Sequence, residues 1–554
     1  MAFPSTVFTP RQTVISSDWL NAVNTHSAEL VYPEDFGARG NGVDDDTTSI
    51  NNWLAAGASG LQLTGYNGKT YAVAGNITLP AIVRMRRATF KQLTPLGTLN
   101  RRTLYQSGGT LCELEGVTVN RNGDGSGGGL LDAAGIFIAD SVGIVRLTDC
   151  EVYGNDYGNG IIVIRCDNAE IIRPYVHDIT GGTTSSAAVT DDTVQGVCVL
   201  GGKGVRIDNP RVKNLLNRWS GKAAFNRFSR GIAMGGGTKQ FSINVPFIDN
   251  VDQGIDVTSD EDPEFYSIVG GIVSNCYTWG HKAANSVQNG VYTGCVAYRC
   301  GIAGFVASSA NYVEPHQTQK ITYTGCHSVA TGYGGAWSGL ATTAGFRTGA
   351  NATYPDYPRQ IKWIGCTADG TGGAMEIGFH NEGALGSANG ETWTEAIHCA
   401  VNASTIRDFN GINSGFVSRS RITTVSHTTS GAWQVVAWDN TLKDYMVGTA
   451  SGSATATAVT RSGVWQVSVA IYFANSATGN RGVRLLVDGS VQIAGGVFIA
   501  AVSGSATYAT FTTAISLPAG SLVTFEAYQN SGGALNIESG SGMQLTLVSA
   551  GIPL

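Results

Sequence analysis

Residues 241–256 read FSINVPFIDNVDQGID, and seven other stretches between residues 145 and 380 follow the same pattern. Apolar residues alternate with polar ones up to a cysteine, proline or glycine. Next comes a pair made of a small and an apolar residue, here Gly254-Ile255. The repeated cysteine, proline or glycine falls at Cys150, Pro174, Pro210, Pro246, Gly271, Cys295, Cys326 and Cys366. These positions lie 24 to 40 residues apart, which indicates a unit of about two dozen residues with insertions.

The alternation has the period of β-strands, and glycine, asparagine and aspartate interrupt it. Because the unit is short and poor in helix formers, it predicts one coil of three short strands rather than a β-α-β module. Stacked coils pair strand to strand and bury a single column of side chains. The sequence therefore predicts an all-β protein built on a right-handed, single-stranded parallel β-helix. Its repeated cysteines are expected to be buried fillers, not disulfides.

Composition excludes several classes of partner. The formal net charge of −6 argues against a nucleic-acid partner, since a phosphate-binding surface needs an excess of lysine and arginine. No apolar run is long enough for membrane insertion. The first residues, MAFPST, do not have the pattern of a secretion signal, so we expect synthesis in the cytoplasm and release by lysis or assembly. We expect no cofactor.

Residues 35–50 read DFGARGNGVDDDTTSI. The acidic run Asp44–Asp46 precedes a predicted helix from Thr47 to Ala56, where negative charge complements the helix dipole. This capping role is favoured over a Ca²⁺ or catalytic site, and no metal site is predicted. The segment resembles the N-terminal signature of the pectate-lyase-like superfamily, which is common in phage tailspikes and polysaccharide depolymerases. That resemblance covers about residues 31–400 and implies a helix that closes the first coil.

Four segments are predicted along the chain. Residues 1–30 form a short virion-attachment segment with a helix at 17–23; residues 31–400 form the β-helix, and 401–438 a transition segment. Residues 439–554 read as short alternating strands and predict an antiparallel jelly roll. The stretches GVWQVSV, LPAGS and GMQLTL in that segment resemble the complement-type/tumour-necrosis-factor-like family, which implies a trimerisation domain. A carbohydrate-binding jelly roll is the alternative.

Insertions at about 178–195, 214–230 and 330–344 predict long loops. These loops would flank three coils without insertions and form the sides of a groove. Three carboxylates, Asp249, Asp252 and Asp256, are predicted to meet on its floor as the catalytic groups. Glycoside hydrolysis needs two carboxyl groups, one protonated and one ionised. Solvated turn aspartates are the alternative. His281 follows Gly280 at the apolar position and is predicted to be a core residue.

Aromatic and charged residues beside these carboxylates match a sugar site, because flat rings cover C–H faces while charged groups bind hydroxyls. The predicted substrate-binding residues are Asp192, Trp219, Arg227, Arg230, Tyr277, Trp279, Lys282, Tyr298, Arg299, Trp337 and Arg347. The insertion at 214–230 concentrates cations and has no carboxylate, which favours a polysaccharide carrying acidic sugars.

These features favour a homotrimeric phage tailspike that binds a bacterial surface polysaccharide and depolymerises it by glycosidic hydrolysis at the outside of the host cell. The N-terminus would attach to the phage tail or baseplate, and outward apolar residues such as Ile162, Ile164 and Cys198 would be covered by neighbouring chains. A polysaccharide lyase and a non-enzymatic glycan-binding adhesin on the same scaffold are the alternatives. A free-living pectinase is disfavoured because no export signal is recognised.

Overall fold

The computed structural model describes residues 30–58, 60–93, 102–124, 133–155, 158–181, 194–217, 228–259, 264–285, 287–309, 318–333, 343–350, 358, 360–381, 394–397, 399–402, 407–410, 416–420, 425–428, 430–438, 440–444, 455–459, 462–492, 497–518 and 520–550. The structural statements below concern these residues. The predicted helix at 17–23 lies outside them.

Three long parallel sheets form the first compact unit of the chain, and each coil contributes a strand to each sheet. Strands of the first sheet are Leu30–Val31, Gln62–Thr64, Ile82–Arg86, Leu111–Glu115, Ile144–Thr148, Glu170–Ile172, Arg206–Asp208, Ser242–Asn244, Glu264–Val269, Gln288–Thr293 and Thr322–Thr324. Strands of the second are Asn41–Asp45, Thr70–Val73, Thr89–Gln92, Thr118–Asp124, Glu151–Asn155, Tyr175–Gly181, Arg211–Asn217, Phe247–Val251, Ile272–Cys276, Val296–Tyr298, His327–Val329, Thr367–Asp369 and Ala400–Asn402.

Strands of the third sheet are Ile77–Thr78, Arg102–Ser107, Ala134–Ala139, Asn159–Ile164, Gln195–Leu200, Arg230–Gly235, Gln253–Ser259, Trp279–Asn285, Ala303–Ser309 and Ala344–Ala350. Four more strands are Ile361–Ile364, Ile377–Asn381, Thr394–Ile397 and Arg407–Asn410. The predicted parallel β-helix is confirmed.

Register keeps equivalent residues of successive coils in line. In the first sheet, for example, Ile207 pairs with Ile243, Ile243 with Ile268, and Ile268 with Tyr292, and all four side chains are fully buried. The repeated cysteines are buried as predicted. The thiols of Cys295, Cys326 and Cys366 each donate to a carbonyl of the coil before, at 3.4–3.6 Å. These thiols fill the core and satisfy backbone acceptors.

The first coils are closed by the α-helix Thr47–Gly57, which follows the 3₁₀-helix Pro33–Phe36. Ile50, Trp53 and Leu54 of this helix are buried. The acidic run is used for local structure: Asp46 accepts hydrogen bonds from the backbone N–H groups of Arg39 and Gly40, at 2.7 and 3.1 Å. The carboxylate of Asp45 accepts a hydrogen bond from the backbone N–H of Thr47 at 3.0 Å. Asp46, at the N-cap position, makes no side-chain capping hydrogen bond, so the predicted capping role is supported for Asp45 alone.

One expectation about the outer surface is wrong. Ile162 and Cys198 face outward from the third sheet, but they are only 2% and 1% exposed in a single chain, in a cluster with Phe137 and Ala233. They therefore need no neighbouring chain to cover them.

The second compact unit contains two antiparallel sheets. Strands of one sheet are Phe416–Ser420, Val425–His427, Asn440–Asp444, Gly463–Phe473, Thr507–Leu517, Leu535–Ile537 and Gly542–Ala550. Strands of the other are Ala432–Val435, Ala456–Ala458, Asn480–Val487, Ser490–Val491, Val497–Ala500 and Leu522–Gln529. Trp465 and Val467 of the first sheet and Leu485 and Phe525 of the second share one buried core.

The predicted segment limits remain predictions, although strands Phe416–Ser420 and Ala432–Val435, inside the predicted transition segment, pair with strands of these antiparallel sheets. Among the described residues, no helix is both long and apolar enough to span a membrane.

Candidate functional site

An outward column on the third sheet, made by four successive coils, carries three charged side chains and one valine. Register places Asp256 beside Lys282, Lys282 beside Val306, and Val306 beside Arg347. Since side chains alternate across a strand, these residues point away from a core that holds Ile255 and His281. The predicted place of Asp256 on the groove floor and the predicted sugar-binding roles of Lys282 and Arg347 require this outward orientation.

Asp256 lies between two cations. Its Oδ2 is 2.5 Å from Nε of Arg230, and its Oδ1 is 3.3 Å from Nζ of Lys282. The Nε–H of Arg230 is not aligned for a hydrogen bond, so that contact is a charge pair. The hydroxyl of Thr258 donates to Oδ1. Asp256 is only 2% exposed, whereas 20% of the Arg230 side chain faces solvent.

This arrangement shifts the pKa values of Asp256 and Lys282. Burial opposes the charge of Asp256, but Lys282 and Arg230 outweigh it, so the pKa of the carboxyl is lowered and Asp256 is ionised near neutral pH. Burial also lowers the pKa of the Lys282 amine, and Asp256 only partly compensates. Lys282 therefore releases its proton more readily than an exposed lysine does.

Aromatic rings border the cluster. Nζ of Lys282 lies 5.3 Å from the ring centre of Trp279. Phe228 packs against both Trp279 and Tyr277, with ring centres 6.1 Å apart in each pair. Tyr277 is 38% exposed. Of the predicted sugar-binding residues, Arg230, Trp279 and Lys282 come together with Asp256.

Asp252 does not lie on an open groove floor, and that part of the prediction is wrong. Its side chain is completely buried, and its carboxylate accepts the backbone N–H groups of Asn217 and Ser229, at 3.1 and 2.9 Å. Its own N–H donates to the Ser229 hydroxyl at 2.9 Å. Asp252 thus links, by hydrogen bonds, the position where the 214–230 insertion leaves the coil and the position where it returns.

Asp249 lies on the outer face of the second sheet, in register with Ser274 and, one coil further, Tyr298. Its Oδ1 accepts hydrogen bonds from the Ser274 hydroxyl at 2.8 Å and from the Asn275 amide at 2.6 Å. The contacts described for Asp249 are therefore with its own sheet, whereas those of Asp256 are with the third sheet.

Three other predicted residues, Tyr298, Arg299 and Arg347, lie further along the coils. The guanidinium of Arg299 lies over the rings of Tyr298 and Tyr333, at 5.0 and 4.6 Å. Arg347 is only 4% exposed. Asp192, Trp219, Arg227 and Trp337 lie outside the described residues, and their predicted roles stay predictions.

The second sheet carries a cluster that the sequence analysis did not name. His177 contacts Glu151 through Nε2 at 3.1 Å and Asp178 through Nδ1 at 2.8 Å, and it stacks on Tyr175 at 4.1 Å between ring centres. Burial lowers the pKa of His177, but the hydrogen bonds to Glu151 and Asp178 raise it by more, so the net shift is upward. Outward alternation after Cys150 and Pro174 is the signal that could have identified Glu151, Tyr175 and His177.

Comparisons with known proteins give a likeness in structure only. No family model matches the sequence, and a search of curated proteins finds no significant relative. Among solved structures, the A-module of a mannuronan C-5 epimerase from Azotobacter vinelandii is 13% identical, with 68% of this chain and 97% of that one covered and a TM-score of 0.45.

An endo-xylogalacturonan hydrolase from Aspergillus tubingensis is 11% identical, with coverage of 69% and 98% and a TM-score of 0.43. A tailspike protein of an Acinetobacter phage is 11% identical, with coverage of 95% and 88% and a TM-score of 0.38. These values are too low to transfer an activity, and the fold rests on the strand pairing described above.

Proposed function

We propose that this chain is a phage tailspike that binds a bacterial surface polysaccharide along the outer face of the third sheet and depolymerises it. The observation that carries the proposal is the Arg230–Asp256–Lys282 cluster beside Trp279. Charged side chains that are shielded from water, as on this outer face, cost free energy of folding. Such groups concentrate at functional sites.

The balance of charge in the cluster favours an acidic sugar. Two cations, Arg230 and Lys282, share a single carboxylate. Arginine and lysine at fixed positions bind carboxylate groups well, and Trp279 offers an aromatic surface beside them. The Arg230 side chain, the more exposed of the paired cations, would make the first contact.

Hydrolysis would use the ionised Asp256 as base or nucleophile; Asp249 lies on the second sheet, so the acid would come from another group. However, the small exposed surface of Asp256 means that a sugar reaches its carboxylate only if Arg230 or Lys282 moves aside. A separate observation favours a second candidate, eliminative cleavage, which needs the same opening of the cluster because Lys282 is only 7% exposed. The lowered pKa of Lys282 suits a base that removes the proton beside a uronate carboxylate. The C–O bond to the leaving sugar then breaks, a C=C bond forms, and the leaving oxygen gains a proton.

Two variants test the proposal, with purified capsular, exopolysaccharide and O-antigen preparations as substrates. Lys282→Met and Asp256→Asn should each reduce turnover at least about a hundredfold, because each removes a proton-transferring or positioning group. Lys239→Met, an exposed lysine on another corner, is the matched control and should retain full activity.

The products separate the candidate reactions. New reducing ends without an unsaturated product indicate hydrolysis, and an ultraviolet-absorbing product indicates elimination. Full activity in both variants would refute this site. Binding without any loss of polymer length would favour the adhesin. Homotrimer formation and attachment to the phage tail through the N-terminus belong to the same proposal.

A further inference from the structure

A cavity of about 540 Å³ lies on a different face from the Asp256 cluster. It runs along the corner between the first and second sheets, and its lining includes Asp149, Glu151, Arg173, Tyr175, Arg211 and Phe247. Its volume falls within the range of about 300–1,000 Å³ that is typical of small-molecule sites.

The floor of this cavity is a column of outward residues from four successive coils. Glu151 is in register with Tyr175, Tyr175 with Arg211, and Arg211 with Phe247. Neighbouring strands are about 4.8 Å apart, so Tyr175 and Phe247 lie about 10 Å apart along the sheet. This distance is close to the length of a disaccharide in an extended glycan, which suits a polymer lying along the column.

The ionic groups in the cavity are held in fixed positions. Both carboxylate oxygens of Asp149 pair with Arg173 at 2.7 Å, and Glu151 contacts His177 at 3.1 Å and the Thr118 hydroxyl at 3.2 Å. These contacts lower the pKa values of Asp149 and Glu151, even though burial opposes the shift. Two ionised carboxylates provide acceptors for sugar hydroxyls but no carboxylic acid to protonate a leaving group.

Two groups remain available to a ligand. Arg211 is exposed, its guanidinium lies 5.0 Å from the ring centre of Tyr175, and it forms no ion pair with any residue that the structure describes. Phe247 is 43% exposed. A free cation and a free ring on a rigid floor can bind a sugar at little cost in ordering the side chains.

We propose that this cavity is a second glycan-binding site, which holds an uncleaved oligosaccharide segment of the polysaccharide while the third sheet acts on another segment. The identity of the ligand rests on the proposed function. Two sites on one chain would raise the effective concentration of polymer at the cleavage site.

Binding of the full-length chain to immobilised capsular, exopolysaccharide and O-antigen preparations tests this site. The double variant Phe247→Ala, Arg211→Ala should bind the recognised polysaccharide about tenfold more weakly, on the scale of a lost aromatic and a lost charged contact. With long polymer as substrate its KM should rise about tenfold, whereas its kcat on short fragments should be unchanged. Phe265→Ala, a 58% exposed ring on the first sheet, is the matched control and should behave as wild type.

Each contrary outcome has a distinct meaning. If the wild type binds and cleaves a polysaccharide and the double variant matches it, the second site is refuted and the proposed function stands. If the wild type binds none of the preparations, both are refuted. If the double variant changes only the oligomeric state, measured by light scattering, the cavity is an interface between copies of this chain and the second site is refuted.

Discussion

His281 and Lys282 are consecutive residues with opposite surroundings. His281 points inward, has no exposed surface and stacks on Phe305 at 4.7 Å between ring centres. Lys282 points outward and pairs with Asp256. This contrast follows from the alternation of side chains along one strand. At the scale of the residue, alternate positions along a strand therefore decide whether a side chain joins the core or the outer surface. The predicted core location of His281 is confirmed.

Burial gives His281 a measurable effect on stability. It lowers the pKa of the imidazole to about 3, whereas the unfolded chain has the ordinary value of 6.5. As the pH falls below 6.5, the unfolded chain gains a proton that the folded chain does not bind, so stability is lost. Between pH 7 and pH 4 this group should cost about 3 kcal/mol.

His281→Phe should remove that loss, since a phenyl ring can continue the stack on Phe305. Denaturant unfolding at pH 7 and pH 4 checks this, with His327→Phe, an exposed position on the second sheet, as the control. Equal pH dependence in wild type and His281→Phe would show that the histidine is hydrated or charged in the folded protein.

At the scale of the element, the coil is the unit that the sequence predicts best. The alternation before Pro246 and the pair Gly254-Ile255 were enough to predict three strands per coil and which side chains are buried. Strand glycines occupy a crowded column: a Cβ on Gly254 would overlap Cγ1 of Val273 and the carbonyl oxygen of Gly280. Gly254 is therefore required by the close approach of the next coil.

Gly254→Ala should accordingly destabilise the protein by about 2–3 kcal/mol, the scale of an overpacked core. Gly75→Ala is the control, because nothing lies within 4 Å of a Cβ built there. Thermal or denaturant unfolding measures the difference. Equal stability of the two variants would mean that the coils separate easily at this column.

The candidate site was only partly predictable, for a physical reason. Alternation within one strand correctly oriented Asp256 and Lys282. Asp252 is a corner residue, and its direction is set by the N–H groups of Asn217 and Ser229 in the coil before. Similarly, the contact of His177 with Glu151 depends on the register between coils. The repeated positions Cys150 and Pro174 indicate that register in the sequence, but they do not show which side chains make contact.

At the scale of the whole molecule, exposed apolar residues of the antiparallel unit indicate where copies would associate. Phe498, Ile499, Val502 and Tyr508 are 49%, 42%, 52% and 50% exposed. These residues lie close together in the sequence, and exposed apolar side chains that form a patch are typical of interaction sites. They lie in the unit whose sequence resembles a trimerisation domain, which supports the proposed homotrimer.

We expect light scattering to give the mass of three chains for the wild type. Ile499→Asp should shift the protein toward the monomer, because it places a charge in an apolar contact. Val491→Asp, at a 43% exposed position on another strand of the same sheet, should leave the mass unchanged. A wild-type monomer at micromolar concentration would contradict the trimer.

The most direct test of the central claim is the chain length of a bacterial surface polysaccharide before and after incubation with the protein, measured by size-exclusion chromatography. For at least one acidic capsule or O-antigen, we predict that the wild type shortens the polymer and that Lys282→Met leaves it at full length. Polymers of unchanged length with the wild type, or equal shortening by Lys282→Met, would contradict the claim.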